Sequence, residues 1–168
     1  TTLCSKNDVD ELIAACKKYN FYGTIGPRCW LPYMVEALKG YDTVLLSSSG
    51  AINGADNVPI KVFGSKWNLE QGADEVENTI NFSYFKSGMY KEVVEDIRAV
   101  REAIGPDVVY KCIIETAIMS EKEIRDACEL LIEGGVDYIK TGTGTVGPTT
   151  LEHVKIIMDQ NKGRVKVK

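Results

Sequence analysis

Gly135-Val136-Asp137-Tyr138-Ile139-Lys140 is a turn running into a strand, and the same order of residue types recurs along the chain. Gly40-Tyr-Asp42-Thr-Val44, Gly72-Ala-Asp74-Glu-Val76 and Gly105-Pro-Asp107-Val-Val109 repeat it, at a spacing of about 30 residues, the length of one βα unit. In each copy the glycine suits the left-handed conformation that ends a helix, and the β-branched run after it reads as a buried strand. The chain therefore alternates helix, turn and strand.

Working outward from these junctions, the periodicity predicts helices near 7–19, 30–39, 58–71, 89–104, 120–134 and 149–161, and strands near 21–26, 43–48, 75–81, 108–115, 136–141 and 164–168. Ser120 followed by Glu123 is a capping box, and Pro148 with Thr149 suits a helix start. Polar residues collect where strands end, in Ser47-Ser48-Ser49-Gly50, Asn81-Phe82-Ser83, Glu115-Thr116 and Thr141-Gly142-Thr143-Gly144. Six strands alternating with helices fit either an eightfold barrel or a doubly wound sheet, since both obey the right-handed crossover rule.

With 168 residues and 44% hydrophobic content, the chain can bury a sizeable core as one domain. Its formal charge of −4 is spread over mixed-sign helix faces such as Glu92, Glu95, Arg98 and Arg101, so no basic patch invites nucleic acid. A small polar or anionic substrate is the more natural partner. The five cysteines (Cys4, Cys16, Cys29, Cys112 and Cys128) form no C-x-x-C pair, which argues against a disulfide framework and a structural zinc site and for a cytoplasmic setting. No apolar run approaches the roughly 20 residues that cross a bilayer, and the amino end carries no signal pattern, although the chain starts without a methionine.

Lysines inside strands are the anomaly. Lys111 lies in Val108-Val-Tyr-Lys111-Cys-Ile-Ile-Glu115, Lys140 ends its strand, and Lys168 ends Arg164-Val-Lys-Val-Lys168. Strands covered on both faces should be almost wholly apolar, because an unpaired buried ammonium costs several kcal/mol. If the last three strands are neighbours, alternation points Lys140, Lys168 and Lys111 into one pocket, where crowded ammonium groups lower one another's pKa and free a nucleophilic amine. The plainer reading is that each lysine snorkels to the rim or pairs with Glu77 or Glu115. Lys166 reads as an ordinary surface lysine.

Gly142-Thr-Gly144-Thr-Val-Gly147 matches the G-x-G-x-x-G turn of dinucleotide-binding folds, which makes NAD a cofactor to weigh. Lys140 before it, Lys168 in place of an acidic ribose ligand, and Pro148 in the loop all oppose that reading. The same glycines and threonines offer donors to a sugar phosphate. His153 reads as a solvent-exposed helix residue, Cys112 as packing, and Trp30 and Trp67 as core or interface anchors. No Ser-His-Asp set or metal-ligand spacing stands out.

Lys140-Thr141-Gly142-Thr143-Gly144 resembles the Schiff-base strand of the deoxyribose-phosphate aldolases, usually Lys-Thr-Ser-Thr-Gly. Gly72-Ala-Asp-Glu-Val-Glu77 is similar to that family's third strand, Lys111-Cys-Ile-Ile-Glu-Thr116 to its fourth, and Lys86-Ser-Gly88 to the loop between them. Pro27-Arg28 with Pro32, and Thr1-Thr2-Leu3, resemble further family segments in the right order. The resemblance implies a TIM (β/α)8-type barrel and a class I aldolase that cleaves 2-deoxyribose 5-phosphate to glyceraldehyde 3-phosphate and acetaldehyde, with no metal or organic cofactor. It implies Lys140 as the Schiff-base lysine, Lys168 as the second lysine and Glu77 as the proton relay, with Lys111, Thr141, Thr143 and Gly144 at the substrate.

The sequence departs from the family at three places. Glu77 stands where the family has an aspartate, Gly50-Ala-Ile-Asn-Gly54 replaces Asn-Phe-Pro-x-Gly, and the chain stops at Lys168, before the last two strands. The expectation is one barrel domain over residues 1–168 with about six βα units, an incomplete record of a longer protein, because two open edges suit a barrel poorly. The alternatives are a catalytically silent barrel that binds sugar phosphate or a partner subunit, and the NAD-binding protein above. No nucleic acid or membrane partner is expected, and a homodimer is compatible with the reading.

Overall fold

The computed structural model describes residues 4–50 and 52–168. Thr1-Thr2-Leu3, part of the resemblance above, lies outside the described residues. Strands β1 (Gly23–Ile25), β2 (Val44–Ser48), β3 (Glu75–Thr79), β4 (Val109–Ile113), β5 (Tyr138–Lys140) and β6 (Lys166–Val167) form one sheet in sequence order. Every neighbouring pair is parallel. Helix α1 (Lys6–Tyr19) precedes β1, and α2 (Leu31–Ala37), α3 (Val58–Glu70), α4 (Phe82–Lys86), α5 (Tyr90–Ile104), α6 (Glu121–Gly134) and α7 (Leu151–Asn161) follow between successive strands, with 3-10 turns at Arg28–Trp30 and Thr116–Ile118. An uninterrupted order without reversal has no topological switch point, so the crevice in which a doubly wound sheet holds a dinucleotide does not form.

The repeated glycines do end helices or turns at positive φ: 84° at Gly40, 95° at Gly72, 81° at Gly105 and 90° at Gly135. The aspartate of the motif has its own task, which the sequence reading did not assign. Asp74 Oδ2 accepts the backbone N–H of Leu45 at 2.8 Å, and Asp137 Oδ2 accepts that of Tyr110 at 2.7 Å. Each carboxylate thus ties the start of its own strand to the preceding strand, satisfying a donor that would otherwise be lost at the sheet's edge.

Alternation gives the sheet two unlike faces. Val76, Cys112, Ile114 and Ile139 are buried under the helices, against Val93, Ile97 and Val100 of α5, Ile124 and Leu131 of α6, and Ile157 of α7. On α5, Val93, Ile97, Val100 and Ile104 recur at helical spacing as one stripe. Each such side chain contributes about 1.5–3 kcal/mol when fully buried, so this layer holds the strands in place. The opposite face carries Glu75, Glu77, Lys111, Tyr138, Lys140, Lys166 and Lys168.

Two local expectations are corrected. Asn81-Phe82-Ser83 is not a loop: the Asn81 side chain accepts the Tyr84 N–H and starts the short α4. The last helix begins at Leu151 with Thr150 as its cap, and His153 belongs to that capping box, its Nδ1 accepting the Thr150 N–H.

Candidate active site

The polar face is built by register. Ile113 stands opposite Lys140, Lys111 opposite Tyr138, and Tyr138 opposite Lys166. Ile139 pairs with Val167, and the ladder continues as Lys168 N–H to Ile139 O and Thr141 N–H to Lys168 O. Lys140 and Lys168 are therefore neighbours on one face, and Lys111 joins them from β4. Lys166 has the same parity as Lys168 and its amine lies 5.3 Å from the Tyr138 ring centroid, but it is exposed, in keeping with its reading as a surface lysine.

Carboxylates meet these cations, as the plainer reading of the lysines had it for Lys140 and Glu77. Lys140 Nζ donates to Glu77 Oε1 at 2.7 Å, reaching across β4 to β3. Lys111 Nζ lies 2.5 Å from Glu75 Oε2 and 4.7 Å from the Tyr138 ring centroid. Glu77 is 2% exposed and, among the described residues, its Oε2 has no hydrogen-bond partner. Glu75 escaped the sequence reading, although its spacing of two from Glu77 placed it on the same face.

The lysine with a lowered pKa is Lys168, and desolvation, ahead of crowding by its neighbours, is the first cause. Its pKa is lowered from the ordinary lysine value, first by burial of its amine and then by the positive charges of Lys140 and Lys111, with Glu77 and Glu75 acting the other way. The nearest charge to Lys140 is the Glu77 carboxylate. A cleft of about 460 Å³ opens on this face, lined by Phe21, Tyr22, Leu46, Lys111, Tyr138 and Lys168. On the far side of the sheet, burial pushes the Cys112 thiol up to about 12, which keeps it an inert packing group.

Thr141 and Gly142 leave β5 behind Lys140, with Thr143 and Gly144 exposed at the rim. The Thr143 N–H is already given to Glu115 Oε1 at 2.9 Å, and the Thr145 N–H to Thr143 Oγ1 at 3.2 Å. Any anion held here would meet hydroxyls and the remaining amides. Among the described residues no group of three or more His, Cys, Asp or Glu side chains is placed to hold a metal ion, and no helix is long and apolar enough to cross a membrane.

Residues 44–167, which include the whole ladder from β2 to β6, match the model of the DeoC/LacD family aldolases. The chain belongs to the DeoC/LacD aldolase family. A deoxyribose-phosphate aldolase of Streptococcus equi subsp. zooepidemicus is 38% identical over 153 residues, covering 90% of this chain and 69% of the relative. One from Mycoplasma mobile is 33% identical over 162 residues, covering 96% and 74%. The crystal structure of a Coccidioides immitis protein provisionally named a deoxyribose-phosphate aldolase superimposes with a TM-score of 0.91 at 29% identity, over 99% of this chain and 67% of that one. The six parallel strands of this DeoC/LacD aldolase are thus a curled half-barrel of the family's type.

Proposed function

We propose that this DeoC/LacD aldolase cleaves 2-deoxyribose 5-phosphate, through a Schiff base on Lys140, to glyceraldehyde 3-phosphate and acetaldehyde. The observation that carries the reading is the 2.7 Å bond from Lys140 to Glu77 on the polar face of the sheet. An amine attacks a carbonyl only after losing its proton, and a carboxylate at hydrogen-bond distance is positioned to take it. The supporting fold is an arc of an eight-stranded barrel.

In this scheme Lys140 Nζ adds to the C1 aldehyde of the open-chain sugar to give a carbinolamine, which loses water to an iminium. Removal of the C3 hydroxyl proton breaks the C2–C3 bond; its electron pair flows to the iminium nitrogen as an enamine, and glyceraldehyde 3-phosphate leaves. Protonation at C2 and hydrolysis release acetaldehyde and free Lys140. Glu77 exchanges the protons, its unpartnered Oε2 being the second seat for one. Lys168, its pKa lowered, gives up a proton more readily than a free lysine and serves in the same exchange. Lys111, Thr141, Thr143 and Gly144 line the substrate's approach from β4 and the β5 rim.

Incubating the protein with 2-deoxyribose 5-phosphate in the presence of a chelator, and assaying both aldehydes, tests the reaction. Release of both, abolished in Lys140→Ala, supports it; a folded protein that releases neither overturns it.

A further inference from the structure

We propose that Glu115 is a positioning residue for the reaction assigned above: its carboxylate clamps the Gly142–Thr143 turn and thereby fixes the direction in which Lys140 points. The inference rests on the aldolase reading of Lys140.

Glu115 is 3% exposed and follows β4 with φ 48° and ψ 64°, a left-handed conformation uncommon for a residue with a long side chain. Such a backbone persists only where its neighbours hold it. The bracket is on both sides: Ile114 N–H donates to Lys140 O at 3.0 Å, and Thr116 N–H to Thr141 O at 2.8 Å. The neighbours of the strained residue are thus stitched to the two peptides on either side of Thr141. Turned inward by that conformation, the side chain does not meet a lysine; its Oε1 accepts the Thr143 N–H at 2.9 Å.

The turn is shaped to receive it. A Cβ on Gly142 would fall 2.9 Å from Glu115 Oε2, so the bare backbone leaves the carboxylate its room without a shift of its free end. Oε2 itself is buried and, among the described residues, has no hydrogen-bond partner. The useful function of the carboxylate is therefore acceptance by Oε1, which an amide oxygen would also perform.

The test compares Glu115→Ala, Glu115→Gln and Glu115→Asp with the parent protein, reading the rate at which acetaldehyde and cyanoborohydride alkylate Lys140, with thermal melts as the control for folding. We expect Glu115→Ala to slow trapping by about tenfold or more, as misplacement of a reacting group does, and Glu115→Gln to recover the parent rate within about threefold. Glu115→Asp, whose carboxylate is one methylene short of the Thr143 N–H, should reproduce the defect, and it serves should Glu115→Ala not fold. Parent-like trapping in folded Glu115→Ala or Glu115→Asp, or a Glu115→Gln protein as slow as the alanine variant, overturns the proposal. Failure of the parent protein itself to trap contradicts the aldolase reading instead, which separates the two.

Discussion

Lys140 of β5 and Glu77 of β3 are joined by a 2.7 Å hydrogen bond that crosses the intervening strand diagonally, Lys140 standing opposite Ile113 and Glu77 opposite Lys111. The pair is 63 residues apart in sequence, and only the sheet's register brings it together. Glu77→Gln keeps an oxygen near the amine but removes its capacity to take a proton. We expect kcat for 2-deoxyribose 5-phosphate cleavage to fall by about 10²–10⁴-fold, with KM changed much less. An unaltered kcat in steady-state kinetics would remove Glu77 from the proton path.

Lys168 sets a pH limit. Because its pKa lies below the ordinary value of 10.5, it loses its charge at a lower pH than a free lysine. The basic limb of the activity profile is expected below that value and should shift or vanish in Lys168→Met. For stability the sign is reversed from a paired lysine: the fold disfavours the charged form, so the cost is full below the folded pKa and is relieved as pH rises towards the unfolded value. A profile identical in Lys168→Met would show that this amine does not titrate with activity.

Lys61 of α3 and Asp96 of α5 form an ion pair with each side chain 2% exposed. Removing one partner leaves a buried charge alone, so Lys61→Met should cost about 3–5 kcal/mol in denaturant unfolding. The double variant Lys61→Met with Asp96→Leu should recover most of that loss. A double variant no better than the single one would mean that packing around Lys61, and not its charge, dominates.

Glu123 joins α6 to the α4 turn. Lys86 at 2.6 Å and the Ser120 N–H at 2.8 Å hold its carboxyl down to about 2, against an ordinary value of 4.5. A depressed carboxyl stabilises the fold above its unfolded pKa and loses that effect as pH falls through the folded one. Glu123→Gln should therefore lower the melting temperature at neutral pH, and the gap to the parent should close as pH falls from about 4.5 to about 2. A gap constant across that window would assign the loss to the cap's geometry alone.

The order of elements was legible because Gly-x-Asp marks every crossover before β2, β3, β4 and β5, and the apolar stripes of α5 and α6 have helical spacing. Lys140, Lys111 and Lys168 announced themselves as cations in strands, which the apolar face of a covered sheet does not tolerate. Their carboxylate partners were only half visible: Glu77 stood out through the family resemblance, whereas Glu75 needed the observation that alternate strand residues share a face. Glu115 read as one more rim carboxylate, since its direction depends on a left-handed backbone that local sequence does not announce. The Asp74 and Asp137 strand ties likewise require knowing which strand lies alongside.

The most direct measurement is peptide mass spectrometry after acetaldehyde and cyanoborohydride treatment of the folded protein. An ethyl group on the Lys140 side chain, absent from Lys140→Ala, is the predicted result. A folded protein left unmodified at Lys140, or one whose adduct persists unchanged in Lys140→Ala, would contradict the assignment of this amine as the nucleophile.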